Sequence, residues 1–294
     1  DVRAHGGRQD LAVAVTGLGL LALAQNGEGF EQPAGRATAY LLAHQRPDGG
    51  FGPDSAAAMY NHGIATTALL CARKRLDLPE ADASIERALA YLVRCQTASG
   101  GWGYGGSDRA SANLGVSVWQ LLALEEAASQ GYSHVRPVLE RGRSYVRALV
   151  GRRGHVAYGR GASVGQTSAT LDAMAASCLL VDAGEGDRDA GTRILERLNA
   201  ESRRAISGHR PADPYGVFFL SRAAQLTDDA ATRQHAERAI RLLAARQAAT
   251  GPDRGRVSQY ITAWGNVGGA VYATAMTALT IQGHLRAGRA GSRM

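Results

Sequence analysis

The sequence predicts an all-α protein, a double ring of about six helical hairpins. Three observations lead there. Arg36–Gly52 (RATAYLLAHQRPDGGFG) and Arg87–Gly103 (RALAYLVRCQTASGGWG) match at a constant offset of 51 residues. They share an Arg, a Tyr-Leu pair, a Gln and a closing Gly-Gly-aromatic-Gly. Between such copies lie small-residue, apolar segments with helical spacing. No linker or change of composition interrupts the alternation, so residues 1–294 read as one domain.

Taken in order, the first small-residue helix starts at Val13 (VAVTGLGLLALA). It has no polar face, which is the pattern of a buried helix. The segment from Arg36 has one apolar stripe and one charged face, so it belongs outside. A second inner helix starts at Gly63 (GIATTALLCA), and its outer partner starts at Arg87. The third inner helix starts at Gly115 (GVSVWQLLAL); a weaker outer copy runs from Arg141 (RGRSYVRAL) and closes at Tyr158-Gly159. The fourth and fifth inner helices start at Thr167 (TSATLDAMAA) and Val217 (VFFLSRAAQL). RAIRLLAARQAATG, Arg238 to Gly251, supplies another outer copy, and the sixth inner helix starts at Val271 (VYATAMTALT). Thr66, Thr170 and Thr274 fall at multiples of 52 residues. Glycine pairs permit the positive φ of a tight turn after each outer helix. The aromatic that follows (Phe51, Trp102, Tyr158) is expected to wedge between successive hairpins. A repeat that cannot bury a face alone needs neighbours on both sides, and closure into a ring supplies them.

Composition narrows the function classes. Apolar residues make up 45% and charged residues 20% of 294, a globular balance. The net charge is +7, and 32 of the 33 basic residues are Arg, with Lys74 alone. The arginines are spread at helical intervals between acids, unlike a nucleic-acid surface, so no nucleic-acid partner is expected. Cys71, Cys95 and Cys178 are too few and too scattered for a disulfide framework or a zinc site. No apolar run is long enough for a transmembrane span. The chain starts at Asp1, which leaves localisation open, a processed leader included.

Arg87, Tyr91, Leu92, Gln96, Gly100 and Trp102 resemble the QW motif of squalene and hopene cyclases; Arg36, Tyr40, Leu41, Gln45, Gly49 and Phe51 repeat it with Phe for Trp. The chain thus resembles the prenyltransferase and squalene-oxidase repeat superfamily, at repeat level from Leu11 to Leu285. That resemblance implies an α/α toroid, and MYNHGIATTALLCA and GGAVYATAMTALTIQ look most like bacterial repeat proteins. The superfamily's chemistry is not carried over. There is no Asp-x-Asp-Asp acid motif; Asp228-Asp229, Asp187-Arg188-Asp189 and Asp77 read as polar turns. The Asp-Asp-x-x-Asp magnesium cluster lacks its last acid at Thr232. The Asp-x-Cys zinc pair of prenyltransferases and a Cys-Gly-Glu-Gln thioester are missing too, so no metal or other cofactor is expected.

What remains is a polar set near the inner-helix starts, facing the ring's hole. Asp172, aligned by 52-residue steps with Gln120 and Ala68, is a candidate general acid, because burial would raise its pKa. Pairing with an Arg is the simpler role for it. His62 is a candidate proton carrier, or a satisfied helix-start residue. Tyr60, Asn61, Asn113, Trp119, Gln120, Gln166, Asp213 and Tyr215 are candidate ligand-binding residues, several of which would serve equally as helix caps. The expected function is a binding or scaffold role through the central cavity or outer surface, with an isoprenoid or other lipid, or a protein, as partner. A divergent cyclase or prenyltransferase-like enzyme and a carbohydrate-processing toroid are the alternatives. They differ in what the cavity holds: aromatics for a lipid, a plugged centre beside an exposed apolar patch for a scaffold, paired carboxylates for a sugar.

Overall fold

A computed structural model describes residues 3–26, 29–76, 78–161, 168–204, 213–262 and 264–291. Among them are eleven α-helices: α1 (Ala12–Asn26), α2 (Glu31–Ala43), α3 (Ala58–Leu76), α4 (Asp82–Arg94), α5 (Leu114–Ser129), α6 (Arg136–Ala148), α7 (Ala169–Leu179), α8 (Glu185–Arg204), α9 (Pro214–Gln225), α10 (Ala230–Ala244) and α11 (Gly265–Gly291). The odd-numbered helices pack side by side, α1 on α3, α3 on α5, α5 on α7, α7 on α9 and α9 on α11. Helix α11 then packs on α1 and closes the ring. Each even-numbered helix lies outside, against the inner helix that precedes it. The expected double ring is therefore present, with six inner and five outer helices among the described residues.

The composition of the two rings explains their layering. In α5, Leu114 through Leu124 are all buried, which suits a helix surrounded by neighbours. In α4 only Ser84, Ile85, Ala88, Leu89, Tyr91 and Leu92 are buried, the one stripe that faces inward. Side-chain caps fix several inner-helix starts. Asn113 accepts from the Val116 N–H at 3.0 Å and Ser168 from the Leu171 N–H at 3.2 Å.

Repetition is enforced at the turns after the outer helices. The Gln45 amide donates to the carbonyls of Gly49 (3.1 Å) and Ser84 (2.9 Å), while its oxygen accepts from Ser84 and Arg87. One repeat on, the Gln96 amide donates to Gly100 (2.8 Å) and Val138 (2.9 Å), and its oxygen accepts from Arg141. Each glutamine thus clasps its own turn to the start of the next outer helix. Gly49 (φ 92°) and Gly100 (φ 94°) sit in the same clasp, and a Cβ on either would overlap the carbonyl of Arg87 or Arg141. Phe51 and Trp102 are fully buried behind these turns, and the Trp102 indole donates to the Leu92 carbonyl at 2.9 Å.

Two expectations are corrected. The residue paired across the third turn as Phe51 is across the first is Val156, bridged to Val150 and fully buried; Tyr158 lies two residues beyond it. Tyr158 instead meets the Tyr104 hydroxyl. Asp187-Arg188-Asp189 lies in the first turn of α8 rather than a polar turn, where Asp187 pairs with Arg147 of α6. Acids suit that position, at the positive end of the helix dipole. Asp229 does stand in a turn, as the N-cap of α10. Asp77 lies outside the described residues.

The ring closes through a short seam. The Arg8 N–H donates to the Val267 carbonyl at 2.8 Å, and Gly7 bridges Gly268. Gly269 takes φ 72°, and a Cβ there would overlap the His5 carbonyl. From α3, Asn61 reaches back to accept from the Ala14 N–H (2.9 Å) and to donate to the Asp10 carbonyl (2.7 Å), capping α1 from outside it.

Candidate functional site

The hole of the ring is divided into two chambers by one aromatic partition. Trp119 of α5 is 1% exposed, stacks on Phe218 of α9 (centroids 6.1 Å apart, 11° between planes) and donates its indole N–H to the Tyr215 hydroxyl at 2.8 Å. It borders both chambers.

At the end where the inner helices start lies an apolar chamber of about 110 Å³. Tyr60, Trp119, Tyr215, Trp264 and Tyr272 supply its aromatic wall, and Leu18 and Ile64 are among its aliphatic residues. Trp264 is 48% exposed and stands at the mouth. Burial pushes the Tyr60, Tyr215 and Tyr272 phenols far above their ordinary range, so they remain neutral donors. Asp213 stands close enough to Tyr215 and Tyr272 of this wall to raise both phenols further. It caps α9 through the Tyr215 N–H (3.3 Å) and accepts from the Thr262 hydroxyl (2.8 Å); burial raises its carboxyl above the usual range.

At the opposite end, where the inner helices finish, the chamber measures about 560 Å³ and is lined by charged and apolar side chains alike. Glu125 of α5 is held between two arginines. Arg222 of α9 bonds one of its oxygens, and Arg143 of α6 stands 3.7 Å from the other. The Glu125 side chain is 6% exposed, and burial lifts its carboxyl above the ordinary range against the pull of both guanidiniums. Glu126, paired with Lys74 at 3.5 Å, Glu140 and Arg136 stand on the same wall.

The residues singled out from sequence separate into three groups. Tyr60, Trp119 and Tyr215 line the apolar chamber, with Asp213 at its rim. Asn113 caps its own helix α5, while Asn61 and Gln120 tie helices together: Gln120 passes over Gly63 to donate to the Met59 carbonyl at 2.7 Å. Asp172 and His62 lie between the two rings, in separate niches. Asp172 is fully buried, pairs with Arg197 of α8 and accepts from the Val156 N–H at 3.2 Å. It stands four residues after the cap Ser168, as Ser117 stands four after Asn113, and Ser117 likewise accepts from the Trp102 N–H. Its structural equivalent is thus Ser117, not Gln120. His62 stacks near Phe51 (5.9 Å) and edge-on to Tyr91 (4.7 Å). Burial lowers its pKa to about 3, so it is neutral near pH 7. Gln166 lies outside the described residues.

Sequence reading passed over Glu125, Arg143 and Arg222. The available signal was a charge inside an apolar inner helix: Glu125 ends the run from Leu114, and Arg222 interrupts VFFLSRAAQL.

Neither a protein-family model nor a curated protein matches this chain. Solved structures do. Cellobiose 2-epimerase from Spirochaeta thermophila superposes with a TM-score of 0.71 at 13% identity, over 95% of this chain and 86% of that one. An alpha-1,6-mannanase from Salegentibacter gives 0.67 at 10% identity over 97% and 95%. A type II terpene cyclase from Scytonema, solved with geranylgeranyl dihydroxybenzoate, gives 0.60 at 13% identity over 93% and 87%. Likeness at this level of identity concerns the fold, which terpene cyclases and carbohydrate-acting enzymes share. Together with the closed ring of α1 to α11, it establishes the chain's fold as an α/α toroid.

Proposed function

We propose that the protein is a binding member of the toroid fold, which takes an apolar ligand, or the apolar end of an amphipathic one, into the chamber at the inner-helix starts. The observation that carries this reading is the chamber's wall, five aromatics and several aliphatic side chains with no charged group among them. Such a wall gains by burying apolar surface, on the order of 25 cal/mol per Å². Trp264, half exposed at the mouth, can close over what enters. Binding is favoured over catalysis because Asp213 is engaged as a cap and by Thr262, and Asp172 and His62 lie away from the chamber.

The test is a titration with a small apolar probe that the chamber of about 110 Å³ can hold, such as toluene, followed by tryptophan fluorescence. Saturable change that is lost in Trp264→Ala and in Tyr60→Ala supports the reading; a flat titration overturns it. A second reading rests on one observation, the raised carboxyl of Asp213 beside an aromatic wall. It makes the protein a divergent cyclase, and predicts cyclised products from a polyprenyl substrate that disappear in Asp213→Asn.

A further inference from the structure

The outer layer of the ring is incomplete. Each inner helix from α1 to α9 is followed by an outer helix packed against it, and α2, α6 and α10 reach the next inner helix as well. Among the described residues no helix takes that place after α11, so the outer groove between α11 and α1 stands open, with a volume of about 730 Å³. Helix α5 is buried from Leu114 to Leu124. By contrast, α1 turns Gly19, Ala22 and Leu23 into the groove and α11 turns Val271, Thr274 and Ala278, all partly or well exposed. Spacings of three and four place each set on one helix face. Val271 and Phe30, which also borders the groove, are each 37% exposed. Apolar surface left on view in this way marks an interaction site.

The turn after α10, at the groove's edge, specifies what fits there. Gln247 bridges Val257 as Gln45 bridges Phe51, and its amide donates to the Gly255 carbonyl at 3.1 Å as that of Gln45 does to Gly49. Gly255 takes φ 85°, close to the 92° of Gly49. On Gly49, Gly100 and Gly154 a Cβ would overlap a carbonyl of the next outer helix, that of Arg87, Arg141 or Arg193; on Gly255 it would meet nothing within 4 Å. Gln45 and Gln96 also bond the next outer helix, donating to Ser84 or Val138 and accepting from Arg87 or Arg141. Among the described residues Gln247 has neither bond, and it is only half-buried. The clasp is formed on its own side and open on the other.

The occupied clasps give the pattern of the helix that would close it. Ser84 and Val138 are the third residues of α4 and α6, and Arg87 and Arg141 the sixth. Both helices have 13 residues and bury the third, fourth, seventh, eighth, tenth and eleventh. At the groove's rim Arg254 and Arg256 face one acid, Asp253, which favours acids on the flanks of an incoming helix. Runs of this sequence outside the described residues have at most eight members, too few for such a helix. We infer that the groove between α11 and α1 docks an amphipathic α-helix of a partner protein, with an apolar stripe at those six positions and an arginine at its sixth residue, in the place of a sixth outer helix.

Fluorescence anisotropy with an end-blocked, dye-labelled peptide of the α4 sequence, Asp82–Arg94, tests this on the intact chain. A peptide of this length is marginally helical alone and orders as it binds. A saturable rise is expected, and none with the peptide variant Leu89→Asp, which puts a charge in the stripe. In the protein, Val271→Asp should weaken binding at least tenfold, and Gln247→Ala about fivefold, as the loss of one or two neutral hydrogen bonds. The peptide variant Arg87→Ala should weaken binding to the unaltered protein but add little against Gln247→Ala, since both remove one contact. Val271 is exposed and Gln247 half-buried, so the helical signal of both protein variants should be unchanged. The inference is overturned if the peptide does not bind saturably. It is overturned equally if binding is indifferent to Val271→Asp and Gln247→Ala, which would mean exchange with the protein's own α4. Native mass spectrometry showing a dimer that Val271→Asp disperses would give the groove to a second copy and overturn it too.

Discussion

The indole of Trp119 and the phenol of Tyr215, 96 positions apart in sequence, share a 2.8 Å hydrogen bond inside the ring. Through it α5 and α9, which are not neighbours in the inner ring, touch across the hole. The bond fixes the plane of the partition, and with it the size of both chambers. Tyr215→Phe keeps the ring but leaves a buried indole N–H without a partner. It should cost about 1–3 kcal/mol in chemical denaturation, and the emission of Trp119 should change. No loss of stability would mean that the partition is held by stacking on Phe218 alone.

His62 sets an acid limit on the fold. Its pKa of about 3 lies below the ordinary imidazole value of about 6.5 because burial disfavours the imidazolium. A lowered folded-state pKa means that the stability contribution is whole above about 6.5 and is lost as pH falls toward 3. Between about pH 6.5 and pH 4 the loss should reach about 3 kcal/mol. His62→Phe, which keeps a ring beside Phe51 and Tyr91, should flatten that dependence in urea midpoints measured across the range. An unchanged slope would place the acid sensitivity elsewhere.

Asp172 and Arg197 form a buried pair between α7 and α8. Breaking such a pair from one side leaves a charge behind, and Asp172→Asn should cost about 3–5 kcal/mol. The double variant Asp172→Asn with Arg197→Met should recover much of this, since neither charge is then stranded. A cycle in which the two effects simply add would show that the pair contributes nothing as a pair.

The turn glycines offer a test with an internal control. Gly100→Ala places a Cβ against the Arg141 carbonyl at φ 94°, whereas a Cβ on Gly105 would meet nothing within 4 Å. Thermal unfolding should show a loss of at least about 1–3 kcal/mol for the first and within about 0.5 kcal/mol for the second. Equal effects would remove the clasp from the account of how successive repeats are held in register.

How much of this was legible in the sequence differs by residue. Gln45 and Gln96 stood out because their clasp is local: the turn each closes lies four residues away, so the same letters recur at the same spacing. The alternation of small-residue and amphipathic helices was equally plain, since burial on all sides and on one side leave different patterns. Asp172 was placed three residues out of register by counting in steps of 52. The repeats are not of one length, and the wedge residues Phe51, Trp102 and Val156 are spaced by 51 and then 54. Tyr158 was mistaken for a wedge for the same reason. The Glu125–Arg143–Arg222 group escaped notice because its members come from α5, α6 and α9, and no local spacing announces a meeting across the hole.

The seam between α1 and α11 carries a kinetic consequence. Most neighbouring helices in the ring are joined by short stretches of chain and can find one another early. Helix α11 packs on α1 from more than 200 residues away, the least local helix pairing in the inner ring. Rates fall as contacts become less local, so loosening the closure at Arg8, Val267 and Gly269 is expected to change the folding rate. An open stack of repeats relieves a misplaced helix at its ends. In a closed ring the error is carried round to the seam, where it delays completion rather than merely weakening one junction.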